Sequence, residues 1–62
     1  MKERMFDVTT GPRTERVSVE DLPELARVLT RRHWPTPGTV ALDAWNTGKG
    51  ESREGTVKEV GK

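Results

Sequence analysis

Histidine is the usual general acid or base near neutral pH, and this chain has one, His33. No helper group stands at a spacing that would orient it. If the helix around it runs far enough, His33 continues an apolar stripe of Leu22, Leu25, Ala26 and Leu29, which makes it a packed or rim histidine rather than a catalyst. The segment Gly48-Lys49-Gly50-Glu51-Ser52 has the look of a phosphate loop. The pattern fails on inspection, because Asp43 stands where the leading glycine of that motif belongs and Gly50, not Ser or Thr, follows the lysine. Turn chemistry makes it a flexible hairpin tip.

Two groups of residues suit binding better than catalysis. Arg27, Arg31 and Arg32 precede Trp34, and closely spaced arginines beside an aromatic ring can grip phosphates and stack on bases. The same arginines, in the last turns of a helix, also complement its dipole and solvate its surface. Lys49 and Arg53 would extend a basic side, diluted by Glu51, Glu54 and Glu59. Trp34 and Trp45 suit the buried centre of an interface or, equally, a core short of large side chains. Trp45 is the better contact residue, since in a strand it would point away from Val40, Leu42 and Ala44.

Nothing singles out a nucleophile or a pair of acids among the many Ser, Thr and carboxylate residues. Catalysis also needs a water-excluding pocket of about 300 Å³, which a core of roughly a dozen apolar side chains cannot wall in alone. A non-enzymatic chain without a cofactor is therefore expected. With no Cys and one His, neither a thiolate site nor a histidine pair is available to hold a metal.

The elements that would position these residues follow from periodicity and punctuation. Residues 4–9 alternate, with Phe6 and Val8 on one side, and Thr14 to Val19 resume the alternation after Thr10-Gly11-Pro12-Arg13, giving a hairpin. Residues 18–34 read as one amphipathic helix. Ser18 with Asp21, or Asp21 with Glu24, has capping-box spacing, acids lead, bases follow, and Trp34-Pro35 ends it. Residues 39–46 carry β-branched and aromatic side chains, with Val40, Leu42 and Ala44 on one face, and are expected to be a third strand. Residues 47–51 are expected to reverse the chain, and Thr56 to Val60 to form a weak fourth strand. The expected fold is a single small α+β domain over residues 1–62, β-β-α-β-β, with one helix packed on an antiparallel sheet.

A chain of 62 residues has room for one core. Apolar burial on the order of 90 kcal/mol is offset by an ordering cost that is also about 90 kcal/mol, so a chain of this size usually needs a staple. Disulfides and metals are not available to it, which leaves association. The expected function is accordingly a non-catalytic interaction protein, binding itself as a homo-oligomer or a larger protein partner. The alternative is a small nucleic-acid-binding regulator using the basic helix face. A net charge of +1 gives that alternative no support. Charges in Met1 to Asp7 and the absence of a long apolar run argue against a signal peptide or a membrane span, and so for a cytoplasmic protein. Seven Arg to four Lys, with no Ile, Tyr, Gln or Cys, suits a GC-rich bacterial or phage genome.

Overall fold

The computed structural model describes residues 3–61. Its elements are β1 (Arg4–Thr10), β2 (Arg13–Val19), α1 (Leu22–Arg31), α2 (Pro37–Thr47), β3 (Lys49–Ser52) and β4 (Gly55–Glu59). The strands form one antiparallel sheet in the order β2-β1-β4-β3, so the chain is a small α+β fold with β2 and β3 at the edges.

The two hairpins are written in turn residues. Gly11 has φ 61° and is followed by Pro12, whose ring holds φ near about −65°; a positive then a negative φ is the sign pattern of the tight II′ turn that suits a twisted hairpin. Seven facing pairs follow, from Thr10 with Arg13 to Arg4 with Val19. At the other end Arg53 and Glu54 make the turn between β3 and β4, and the Ser52 hydroxyl accepts from Glu54 N–H at 3.0 Å. The expected reversal at 47–51 is therefore displaced: Gly48 ends α2 and Lys49 already begins β3.

The register sorts side chains to two faces. Phe6, Val8, Val19 and Val57 point to the helices and are buried with Leu25, Leu29, Trp34, Val40, Ala41 and Ala44 in one cluster. Among the described residues no helix covers the opposite face of the sheet; there Met5 is 46% exposed, and Asp7, Arg16 and Lys58 lie in one cross-strand row.

The order expected from sequence needs one correction. Residues 39–46 form not a third strand but most of a second helix, so the order is β-β-α-α-β-β. Val40, Leu42 and Ala44 do alternate, yet Val40, Ala41, Ala44 and Trp45 also fall at i, i+1, i+4 and i+5, which is a helical stripe. The stripe prevails: Val40, Ala41 and Ala44 are buried, whereas Leu42 is 46% exposed. Pro37 in the first turn and Gly48 at φ 86° beyond the last bracket the helix. Short apolar runs do not tell strand from helix by period alone.

Gly50 explains how closely α2 can lie on the sheet. A Cβ there would collide with the Val40 carbonyl and crowd the Ala44 amide, so only glycine lets helix and strand backbones meet. Gly55 is equally constrained against the Thr9 carbonyl on β1.

Candidate functional site

The arginines of α1 are positioned by well-defined helix ends. Of the two capping boxes in the sequence, the second operates: the Asp21 carboxylate accepts from Glu24 N–H at 2.9 Å, and the Glu24 carboxylate reaches back to Glu20 N–H at 2.7 Å. Ser18 belongs to β2 instead and donates to the Glu3 carboxylate at 3.0 Å. At the other end, His33 N–H donates to the Thr30 carbonyl at 3.0 Å and Trp34 N–H to the Leu29 carbonyl at 3.2 Å. This pair of bonds is a Schellman motif, with His33 in the left-handed position at φ 62° and Trp34 folded back over Leu29 into the core.

That geometry corrects the expected place of His33. The helix stops at Arg31, so His33 does not extend the Leu22–Leu29 stripe; it is exposed. Trp34 is 4% exposed, and its indole N–H is buried without a hydrogen-bond partner among the described residues. It therefore presents no ring face to an outside ligand. Arg27 and Arg31 are exposed on α1, and Arg32 caps it.

Arg32 links the helix to the sheet edge. Its guanidinium pairs with the Glu15 carboxylate on β2 at 2.7 Å, while its Nε is buried and without a partner among the described residues. Two depressions open on either side of this link. One, of about 460 Å³, is lined by Val17, Ser18, Val28, Arg31 and Arg32. The other, of about 220 Å³, is lined by Val8, Thr10, Arg13, Glu15 and Arg32. Together they make a trough along the inner side of β2, roofed by α1. Arg13, Arg27 and Arg31 have no ion pair among the described residues.

Trp45 lies elsewhere. On α2 it is half-buried, its ring stacked on Phe6 at 6.1 Å between centroids with 25° between planes. Arg4 lies against both rings, its guanidinium carbon 4.0 Å from the Trp45 centroid and 5.4 Å from that of Phe6. The Arg4 guanidinium also donates twice to the Glu59 carboxylate, at 2.8 and 2.9 Å, and to the Trp45 carbonyl at 2.9 Å. The hydrogen bond to Glu59 holds the Arg4 pKa above its ordinary value, burial opposing and the Glu59 charge reinforcing it. This arrangement ties α2 to β1 and β4.

Lys49 and Arg53 are not joined to the arginines of α1. They sit on and beside β3, with β4 and β1 lying between β3 and β2, and Lys49 is paired with Glu51 at 3.2 Å. A polar depression of about 460 Å³ there is lined by Asp43, Thr47, Lys49, Gly50 and Glu51, two acids to one base.

Sequence reasoning did not single out Arg13, Val17 or Val28 for this trough. Arg13 stands beside the Gly-Pro turn and faces Thr10, so the hairpin register, once read, places it on the helix side with Glu15 and Val17. Val28 gave no signal, because its place depends on where α1 rests. Among the described residues, no helix is long and apolar enough to cross a membrane. The chain matches no known protein family, no curated protein and no solved structure.

Proposed function

We propose that this chain is a small, non-catalytic interaction protein whose docking surface is the β2 edge together with the arginine-bearing side of α1. One observation carries the reading: an edge strand with no neighbour beyond it is flanked by Arg13, Arg27 and Arg31, none of which has an ion pair among the described residues. Elsewhere the cations Arg4, Arg16 and Lys49 are neutralised by Glu59, Asp7 and Glu51, and the other two without an ion pair among the described residues stand apart, Arg53 at the β3–β4 turn and Lys58 in the row on the open sheet face. An edge strand offers a row of backbone donors and acceptors, so a second chain can add to it. The near-balance of burial against ordering gives such a docked state a thermodynamic reason, because anything that binds only the folded form stabilises it.

Light scattering after size exclusion, combined with a melting curve on the same sample, tests this. The expected result is either a protein-only species heavier than one chain or a monomer with a modest Tm. A hyperstable monomer, melting above about 90 °C, would show that the fold needs no association and would overturn the proposal.

A further inference from the structure

We infer that the occupant of the β2 edge is an extended, acidic peptide segment of a partner protein, which adds to the sheet as a fifth strand and sets its carboxylates against Arg13 and Arg31. The inference rests on the docking role proposed above and specifies its partner.

Dimensions come first. β2 has seven residues, Arg13–Val19, so its edge runs for about 23 Å at roughly 3.3 Å per residue, room for a strand of six or seven residues. β3, the other edge, has four. A strand laid beside β2 turns alternate side chains toward α1, where the two depressions meet at Arg32. Near one end of that row stands Arg13. Near the middle, Val17 and Val28 offer aliphatic surface, both of them only partly buried against the core. Arg31 lies beside them.

Charge chooses the occupant. The ion pair with Arg32 uses Glu15, the one acid of β2. Arg13 and Arg31 are left for a ligand, so side chains that enter from the partner strand gain by being acidic at the ends and small or aliphatic between. A second copy of the chain is a poorer fit. In an antiparallel β2–β2 pairing centred on its middle residue, Arg16 would face Arg16, and each copy would bring two arginines and a single glutamate that is already paired. Nucleic acid fits less well again. Trp34 and Trp45 are both packed inward, so the trough has no aromatic platform for bases, and Glu15 sits where phosphates would run.

The test is an NMR titration of the ¹⁵N-labelled protein with a blocked peptide, Glu-Thr-Val-Thr-Val-Thr-Glu, which sets Glu, Val, Val and Glu on one face of a strand. The expected result is saturable shifts of the β2 amides and of Val28 and Arg31, with β3 unmoved. The same peptide with proline in place of each threonine, its donors to the strand edge removed, and the Arg13→Glu/Arg31→Glu double variant are each expected to weaken binding by about tenfold or more. The double variant replaces exposed side chains, and an unchanged melting temperature confirms that it folds. The inference is overturned if a Lys-for-Glu peptide binds equally well, if shifts centre on β3 or the open sheet face, or if a single-stranded oligothymidine binds the trough more tightly. It is also overturned if light scattering shows a dimer whose β2 amides are protected without peptide. In those last outcomes the docking role survives and only its occupant changes, whereas a hyperstable monomer removes the role itself.

Discussion

The two helices of this chain are of similar length and lie on the same sheet, yet they are made in different ways. α1 carries its own instructions: a carboxylate cap at Asp21, proline in the first turn, Glu24 early, Arg31 late and a Schellman close. α2 has no side-chain cap at Thr36 and no charge of the favourable sign in either end turn. What it has is fit: Val40, Ala41 and Ala44 are buried against a sheet whose Gly50 gives way to them, and Trp45 packs on both Phe6 and Arg4. One helix is specified locally and the other by its destination. Propensity is a weak prior that tertiary context overrides, and here both regimes occur within a few tens of residues.

If so, α2 should be broken from the sheet side. Gly50→Ala places a Cβ against the Val40 carbonyl and is expected to cost on the order of 3 kcal/mol, a large part of what a chain of this size has; urea unfolding measures it. Arg4→Ala removes the cover of Trp45 and leaves the Glu59 carboxylate without this partner, an expected loss of about 2 kcal/mol, with Arg4→Lys intermediate. Tryptophan fluorescence should shift to the red in the same variant. The sign of the Arg4 pKa shift sets its pH dependence. A guanidinium raised above its unfolded value stabilises at every pH below that value and loses the effect only in extreme alkali, so Arg4→Ala should lower stability equally from pH 6 to 9.

α1 should respond instead to its own ends. Asp21→Ala is expected to cost about 1 kcal/mol by thermal melting, and Asp21→Ser to restore most of it. His33→Gly should stabilise by about 0.5 kcal/mol, since a left-handed φ strains any side chain more than the added freedom of glycine costs the folded state. If Asp21→Ala were to cost as much as Gly50→Ala, the division between the two helices would not hold.

Legibility in the sequence follows the same division. Features that act within a few residues could be read: the Phe6 and Val8 face, the Gly-Pro turn and the Asp21 cap with Glu24. The end of α1, expected at Trp34-Pro35, falls at Arg31 because the left-handed position is taken by His33 with no glycine to announce it. α2 was read as a strand because Val40, Leu42 and Ala44 satisfy a period of two as well as Val40, Ala41 and Ala44 satisfy a helix. Pro37 and Gly48 were present as start and stop signals and would have favoured the helix. The trough was legible only in part. Arg31 and Arg32 lie on a helix that could be found, but Arg13 and Val28 join them through the hairpin register and the seat of α1, which no local pattern encodes. Lys49 and Arg53 looked adjacent to the helix arginines in the absence of a strand order, and the order β2-β1-β4-β3 separates them.

The centre of the sheet joins β1 to β4, the first strand to the last, with Phe6 facing Glu59 and Thr9 facing Thr56. Loop-closure entropy makes such a distant pairing late, because each end must wait until the intervening chain has been gathered in. Until β4 arrives, Phe6 and Val8 lack the Val57 side of their core. Folding of this domain should therefore be all-or-none and slow to commit for its size, with no stable half-built form for a protease or a partner to meet.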